Sequence, residues 1–180
     1  GFIGARTIAS PNENCNEAIQ CELYWDRARR SALRDYPYNF AVQRVQLAET
    51  IVPSVYCDEQ GRPVVYQHAY ALPNKCLKVM RLHRLGESPL ESHEFRLETY
   101  EGVALILCDL PLAQADIIVD QEDISLWDEL FVMAMARKLS FLVSIPILKN
   151  NQQKLNELAT LYQQAVPVSD GVNNSERRSN

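Results

Sequence analysis

The stretch Tyr66-Gln67-His68-Ala69-Tyr70-Ala71-Leu72-Pro73-Asn74-Lys75-Cys76-Leu77-Lys78-Val79-Met80-Arg81-Leu82 decides the fold. Tyr66, His68, Tyr70 and Leu72 alternate with Gln67, Ala69 and Ala71; beyond Pro73-Asn74, Leu77, Val79 and Arg81 alternate with Lys78, Met80 and Leu82. A period of two puts successive side chains on opposite faces of a pleated strand, and Pro-Asn supplies a turn. The pattern extends from Val64 to Val119. Gly86-Glu87-Ser88-Pro89 breaks it once more, and Phe95 with Leu97, Val103 to Leu107 and Ile117 to Val119 complete four or five short strands. Short strands with close turns imply an antiparallel sheet.

On the N-terminal side the period becomes helical. Ser10-Pro11-Asn12-Glu13 reads as a capping box with Pro at the first helical position. Ala18, Cys21, Trp25, Ala28 and Ala32 follow as one apolar stripe on a helix that runs to about Asp35, where Pro37 stops it. Arg27, Arg30 and Arg34 share another face. Asp26, four residues before Arg30, can pair with it for about 0.3–0.5 kcal/mol. The segment from Tyr38 to about Ala48 leans towards a strand. Residues 49–63, with Pro53, Pro63 and Asp58-Glu59-Gln60-Gly61, read as a loop with a turn.

Helical spacing returns near Asp123. Asp123 or Ser125 is the expected cap, with Asp128 and Glu129 in the first turns, where the macrodipole favours anions. Leu130, Ala134, Arg137, Phe141 and Ile145 line one side; Val132, Met133, Ala136 and Leu139 crowd the others. A helix apolar nearly all round belongs at the centre of a bundle. Pro146 kinks or ends it, and Leu148, Leu155, Leu158, Leu161 and Tyr162 mark a more exposed final helix over about 147–165. After Pro167 the chain is polar and cannot support a core, so it reads as a tail that orders against a partner. The expected fold is α+β: a helical bundle with an antiparallel β-rich insertion and an extended C-terminal tail. Residues 1–48 give the first part of the bundle and a linking segment, 49–121 the insertion, 122–166 the C-terminal bundle helices and 167–180 the tail.

Composition bounds the function. The chain has 180 residues, 47% of them hydrophobic, which suits one medium domain and excludes wholesale disorder. No uninterrupted run of about 18 apolar residues exists, so no transmembrane span is expected. Gly1-Phe2-Ile3 opens without a charged n-region or a long apolar stretch, so no signal peptide is expected, and the missing initiator Met suggests that a leader has been removed. Five cysteines, at 15, 21, 57, 76 and 108, include no C-x-x-C pair and read as small hydrophobes in a reducing compartment. His68, His83 and His93 do not cluster with them as a zinc site requires.

Charge is uneven. Residues 1–90 carry 11 bases and 9 acids, residues 91–180 carry 7 bases and 14 acids, and Asp109 to Glu129 holds seven acids and no base. Such a segment repels phosphate, which argues against conventional nucleic-acid binding. The sequence lacks G-x-S-x-G, H-E-x-x-H, G-x-x-x-x-G-K-[ST] and G-x-G-x-x-G, and six glycines leave no phosphate-cradling loop. Asp120, Glu122 and Asp123 lack the alternating ligands and Gly of a calcium loop. No catalytic residue, metal or cofactor is therefore expected, and the chain does not read as an enzyme.

Cys21-x-x-x-Trp25-Asp26-x-Ala28-Arg29-x-x-x-Leu33 followed by Tyr36-Pro37-Tyr38-Asn39-Phe40-Ala41 resembles the tail tubular protein A family of short-tailed phages. Further matches follow in order: Tyr70-Ala71-Leu72-Pro73, Cys76-Leu77-Lys78-Val79, Phe95 to Glu98, Val103 to Leu107, and Trp127-x-x-x-Phe131-x-x-Ala134-x-Ala136-x-x-Leu139. The resemblance spans residues 3 to about 165. Tyr38 replaces the family's Trp, and Lys75 stands where the family favours Asp. The family consists of head-to-tail adaptors, so the resemblance implies a virion protein of the phage neck, made in the host bacterial cytoplasm. Twelve copies would form a ring under the portal protein, extend the DNA channel, retain packaged DNA and give a platform for the tail nozzle or tube. Double-stranded DNA would pass through the lumen without specific binding, and no membrane would be involved.

A ring needs heterologous, complementary interfaces. Arg27, Arg30 and Arg34 on one side and Asp120, Glu122 and Asp123 on the other are the candidate inter-subunit pair. Tyr162, Val166, Pro167, Val168, Arg177 and Arg178 are the candidate portal-binding residues. Trp25, Tyr38 and Phe40 are expected to pack the bundle against the sheet. The rival readings are another neck protein, a stopper or tail-completion protein that binds below the adaptor, an assembly module that forms no ring, and a small hydrolase.

Overall fold

The computed structural model describes residues 16–50, 55–57, 60–61, 63–88, 90–148 and 151–167. The protein is α+β, with three helices and two antiparallel three-stranded sheets among the described residues. It divides into two compact units. One takes the described residues up to Ala41 together with those from Asp120 onward; the other is Val42–Val119. The capping box at Ser10–Glu13 lies outside the described residues.

The second unit holds β1 (Val42–Gln46), β2 (Val55–Cys57), β3 (Pro63–Val65), β4 (His68–Ala71), β5 (Cys76–His83), β6 (Arg96–Tyr100), β7 (Val103–Cys108) and β8 (Gln114–Val119). One sheet runs β1-β8-β5 and the other β4-β7-β6, while β2 and β3 form a two-stranded ribbon. The alternation on each side of Pro73-Asn74 does mark strands, but they are not partners. β4 lies along β7 and β5 along β8, so the turn carries the chain from one sheet to the other and the expected sheet is split in two. Cys76 N–H donates to the Pro73 carbonyl at 3.2 Å and Lys75 sits at φ 58°, a left-handed turn residue that redirects the chain. β1 pairs with β8 along its whole length. The sheets therefore begin at Val42, earlier than the boundary expected at residue 49.

β8 is central in its sheet and reads as a nearly continuous apolar run, as a strand covered on both faces must. Val79 and Leu82 of β5 and Ala115, Ile117 and Val119 of β8 share one core with Tyr70 of β4 and Ile106 and Cys108 of β7. The two sheets thus bury a common interior. Tyr70 donates its hydroxyl to the Leu110 carbonyl at 2.5 Å, and burial raises its phenol pKa. β6 and β7 are joined by Glu101 at φ 49° and Gly102 at φ 81°, the paired left-handed residues of a tight hairpin.

The first unit contains α1 (Asn16–Asp35), α2 (Glu129–Ile147) and α3 (Gln152–Ala165), and α2 packs against both others. Asp128, rather than Asp123 or Ser125, caps α2 by accepting from Phe131 N–H at 2.7 Å. Asp123 instead caps a short 3-10 turn, Ile124–Leu126. Pro146 lies in the last turn of α2, and α3 starts only at Gln152, where the Asn151 side chain accepts from Lys154 N–H at 3.0 Å. Tyr38 is buried edge-on to Tyr36 and Phe131, and Phe40 packs on the same Phe131. Trp25 stacks on Trp127, with centroids 6.1 Å apart. The expected packing of Trp25, Tyr38 and Phe40 thus resolves into contacts with other aromatics of their own unit.

α2 bears on the expectation about spans. Its mean hydropathy of 1.7 over 18 residues makes it long and apolar enough to cross a membrane. Its mid-helix charges are nonetheless engaged by neighbouring helices: Arg137 donates to the Leu161 carbonyl at 2.9 Å, and Lys138 lies 3.5 Å from Asp35. Cys21, Cys76 and Cys108 form no disulfide.

Candidate assembly surface

The basic side chains of α1 fall into two environments. Arg29 shares the buried side of the helix with Ala28, Ala32 and Leu33, and only 4% of it is exposed. Its guanidinium grips Asp120 through two bonds, Nε to Oδ1 at 2.7 Å and Nη2 to Oδ2 at 3.0 Å, and reaches Asp26 through Nη1 at 2.6 Å. Arg30 adds Nε to Asp120 Oδ2 at 3.0 Å. Burial pushes the Asp120 carboxyl up, but the hydrogen bonds from Arg29 and Arg30 outweigh it and hold the pKa below the usual range. The bond to Asp120, opposed by burial, raises the Arg29 pKa.

This clamp corrects part of the expected inter-subunit pair. Arg30 and Asp120 meet, but within one chain, and buried Asp120 has its oxygens committed. Asp26 turns to Arg29 rather than to Arg30. Glu122 is exposed and lies 4.0 Å from Arg29. Asp123 is exposed and accepts from the Ser125 N–H and hydroxyl. Arg27 and Arg34 are exposed on α1. The residue that spacing missed is Arg29. The signal was available, since Arg29 lies four residues after Trp25 and three before Ala32, inside the apolar stripe.

Around these charges the first unit leaves large apolar side chains uncovered. On α2, Leu130, Val132 and Met133 are each about half exposed (55%, 48% and 48%). Ile124 and Leu126 in the preceding turn, and Ile19 and Leu23 on α1, are exposed as well. Exposed Glu122, Asp123, Asp128 and Glu129 lie in the same stretch of chain as the α2 group. Apolar side chains bordered by charge are the usual make-up of a protein-binding surface.

The candidate portal-binding residues separate. Tyr162 is buried, packs with Ala134, Ala165 and Val166, donates its hydroxyl to Asp35 Oδ2 and lies under the Lys138 ammonium, 4.2 Å from ring centre to nitrogen. Burial and then the Asp35 bond raise its pKa. It is an internal tie of the unit, buried inside it, where a portal-binding side chain was expected. Val166 packs on the same cluster and Pro167 is half-buried. Val168, Arg177 and Arg178 lie outside the described residues.

Each histidine meets a carboxylate. His68 Nδ1 is 2.6 Å from Glu49, His83 Nε2 is 2.9 Å from Asp116, and His93 Nε2 is 2.7 Å from Glu87. The His83–Asp116 pair resembles part of a catalytic relay, but His83 is only 1% exposed. Asp116 also accepts from Arg44 on β1 at 2.8 and 3.2 Å. Burial raises the Asp116 pKa, and the Arg44 and His83 bonds bring it below the usual range. A sealed pair held by a cation braces the sheet and gives substrate no access. No protein-family model matches the chain, and no curated protein matches it significantly.

Proposed function

We propose that this chain is a head-to-tail adaptor of a short-tailed phage, a structural virion protein whose twelve copies ring the DNA channel between portal and tail. The observation that carries the reading is the uncovered apolar group at the start of α2, Leu130, Val132 and Met133, on a helix whose other side is buried against α1 and α3. An apolar surface of this kind is stable when another protein covers it. In a head-to-tail ring each copy offers that surface to a different surface of the next, and the exposed bases Arg27 and Arg34 and acids Glu122, Asp123 and Glu129 supply charges of both signs.

The ordered run of family-like motifs from Cys21 to Leu139 supports the adaptor reading, as do the exposed acids Glu122, Asp123, Asp128 and Glu129. Exposed carboxylates near a channel repel the phosphate backbone and displace no counterions from it, so DNA slides past instead of binding. In this reading the helices form the ring-building bundle, the Val42–Val119 unit is its β-rich insertion, and the polar segment after Pro167 docks on the portal. Electron microscopy of the chain with and without the portal protein of the same genome tests it. The expected result is a twelve-fold ring stacked on the portal. A chain that neither forms rings nor binds the portal overturns the reading.

A further inference from the structure

The loop between β5 and β6 brings three metal-binding side chains together. Glu87, Glu91 and His93 each offer a ligand atom, and the three atoms lie within 4.8 Å of one another. Backbone bonds fix the positions that carry them. Glu87 Oε2 accepts from Arg84 N–H at 2.8 Å, Glu91 N–H donates to the Ser88 carbonyl at 3.1 Å, and His93 N–H donates to the Leu82 carbonyl at 3.1 Å. Two carboxylates held this close repel each other unless a proton or a cation stands between them. Among the described residues, His93 is the only basic side chain in ion-pair contact with either one.

We propose that Glu87, Glu91 and His93 bind one divalent transition ion of the zinc class, with water completing the coordination. One imidazole nitrogen and two carboxylate oxygens form a borderline donor set that suits Zn2+; magnesium and calcium take oxygen ligands alone. Ligand atoms around a tetrahedral zinc, at bond lengths of roughly 2.0–2.1 Å, stand about 3.4 Å apart. The His93–Glu87 contact of 2.7 Å must open a little to admit the ion, by side-chain rotation at a half-exposed loop. On binding, the ion takes the place of the direct contact between His93 Nε2 and Glu87. The bound ion then ties the start of the loop to its end.

Titration of the full chain with zinc chloride tests the proposal. Calorimetry gives stoichiometry and affinity, and long-range proton–nitrogen NMR follows the ring nitrogens of the three histidines. The expected result is one zinc per chain with the His93 Nε2 resonance displaced. His93→Ala should weaken binding at least about tenfold, since loss of even an indirect ligand partner brings that much. Glu91→Gln should weaken it as well while the His68 and His83 resonances stay in place, which shows that the fold is intact. No binding, displacement confined to His68 or His83, or zinc held unchanged by both variants (as by cysteines) would each overturn the proposal.

Discussion

Arg29 shows what a buried charge requires. Its guanidinium and the Asp120 carboxylate are both nearly sealed, so each depends on the other for solvation. Removing Arg29 leaves buried Asp120 with only the exposed Arg30, so the loss approaches the about 3–5 kcal/mol of an uncompensated buried charge. Arg29→Ala should therefore lower the urea midpoint sharply. Arg30→Ala, whose side chain is 56% exposed, should cost under about 1 kcal/mol. Equal losses in the two variants would show that the clamp has no special weight. Acid should reveal the same interaction. The folded pKa values of Asp120 and Asp116 lie below those of free carboxylates. Their stabilisation is full above the unfolded value, about 3.9, and fades as pH falls through the folded values. Denaturation midpoints should thus drop on acidification below about pH 4, and Asp120→Asn should make that drop shallower. A period of 3.6 places Arg29 on the buried face but says nothing of what meets its charge there. Only the partner, ninety-one residues away, explains a base there.

At the scale of elements, α2 carries two separable roles. Asp128 accepts from Phe131 N–H and satisfies a donor that the first helical turn leaves unpaired. Asp128→Ala should cost about 0.5–2 kcal/mol. Asp123→Ala disturbs only the short turn before the helix and should cost less, as paired thermal melts would show. The exposed side tests assembly. Val132→Glu and Met133→Glu place charge where the isolated chain meets water, so circular dichroism should be unchanged. Sedimentation velocity should then show loss of any ring the parent forms, and self-association as strong as the parent's would remove this face from the interface. The strands show how far a pattern can be read. Alternation around Tyr70 and Val79 marked β4 and β5, because period two is a local property of one strand. Pairing depends on partners distant in sequence, and a Pro-Asn turn looks the same whether it closes a hairpin or leads to another sheet. The left-handed Lys75 that makes the difference stands where Gly or Asn would have been the legible choice.

At the scale of the whole molecule, the two units differ in how their cores are assembled from the chain. Every residue of the core shared by the two sheets lies within Val42–Val119, and so do Arg44 and His83, the partners of the buried Asp116. The helices are different. α1 supplies Arg29 to Asp120 and Asp35 to Tyr162 and Lys138, so their internal ties join residues before Ala41 to residues after Val119. Composition could not show this, because both helical stretches look self-sufficient by their own apolar stripes. A severed chain should therefore behave asymmetrically. A fragment of residues 42–119 retains its whole core and should unfold cooperatively in urea, though with low stability, as a core of this size supplies only about 3–5 kcal/mol. A fragment of residues 120–180 leaves Asp120 without Arg29 and the apolar side of α2 without α1. It should show little helix by circular dichroism, and adding residues 1–41 in trans should restore part of it. A helical 120–180 fragment that ignores the 1–41 peptide would mean that α2 and α3 stand alone, and that the Arg29 clamp joins elements already folded.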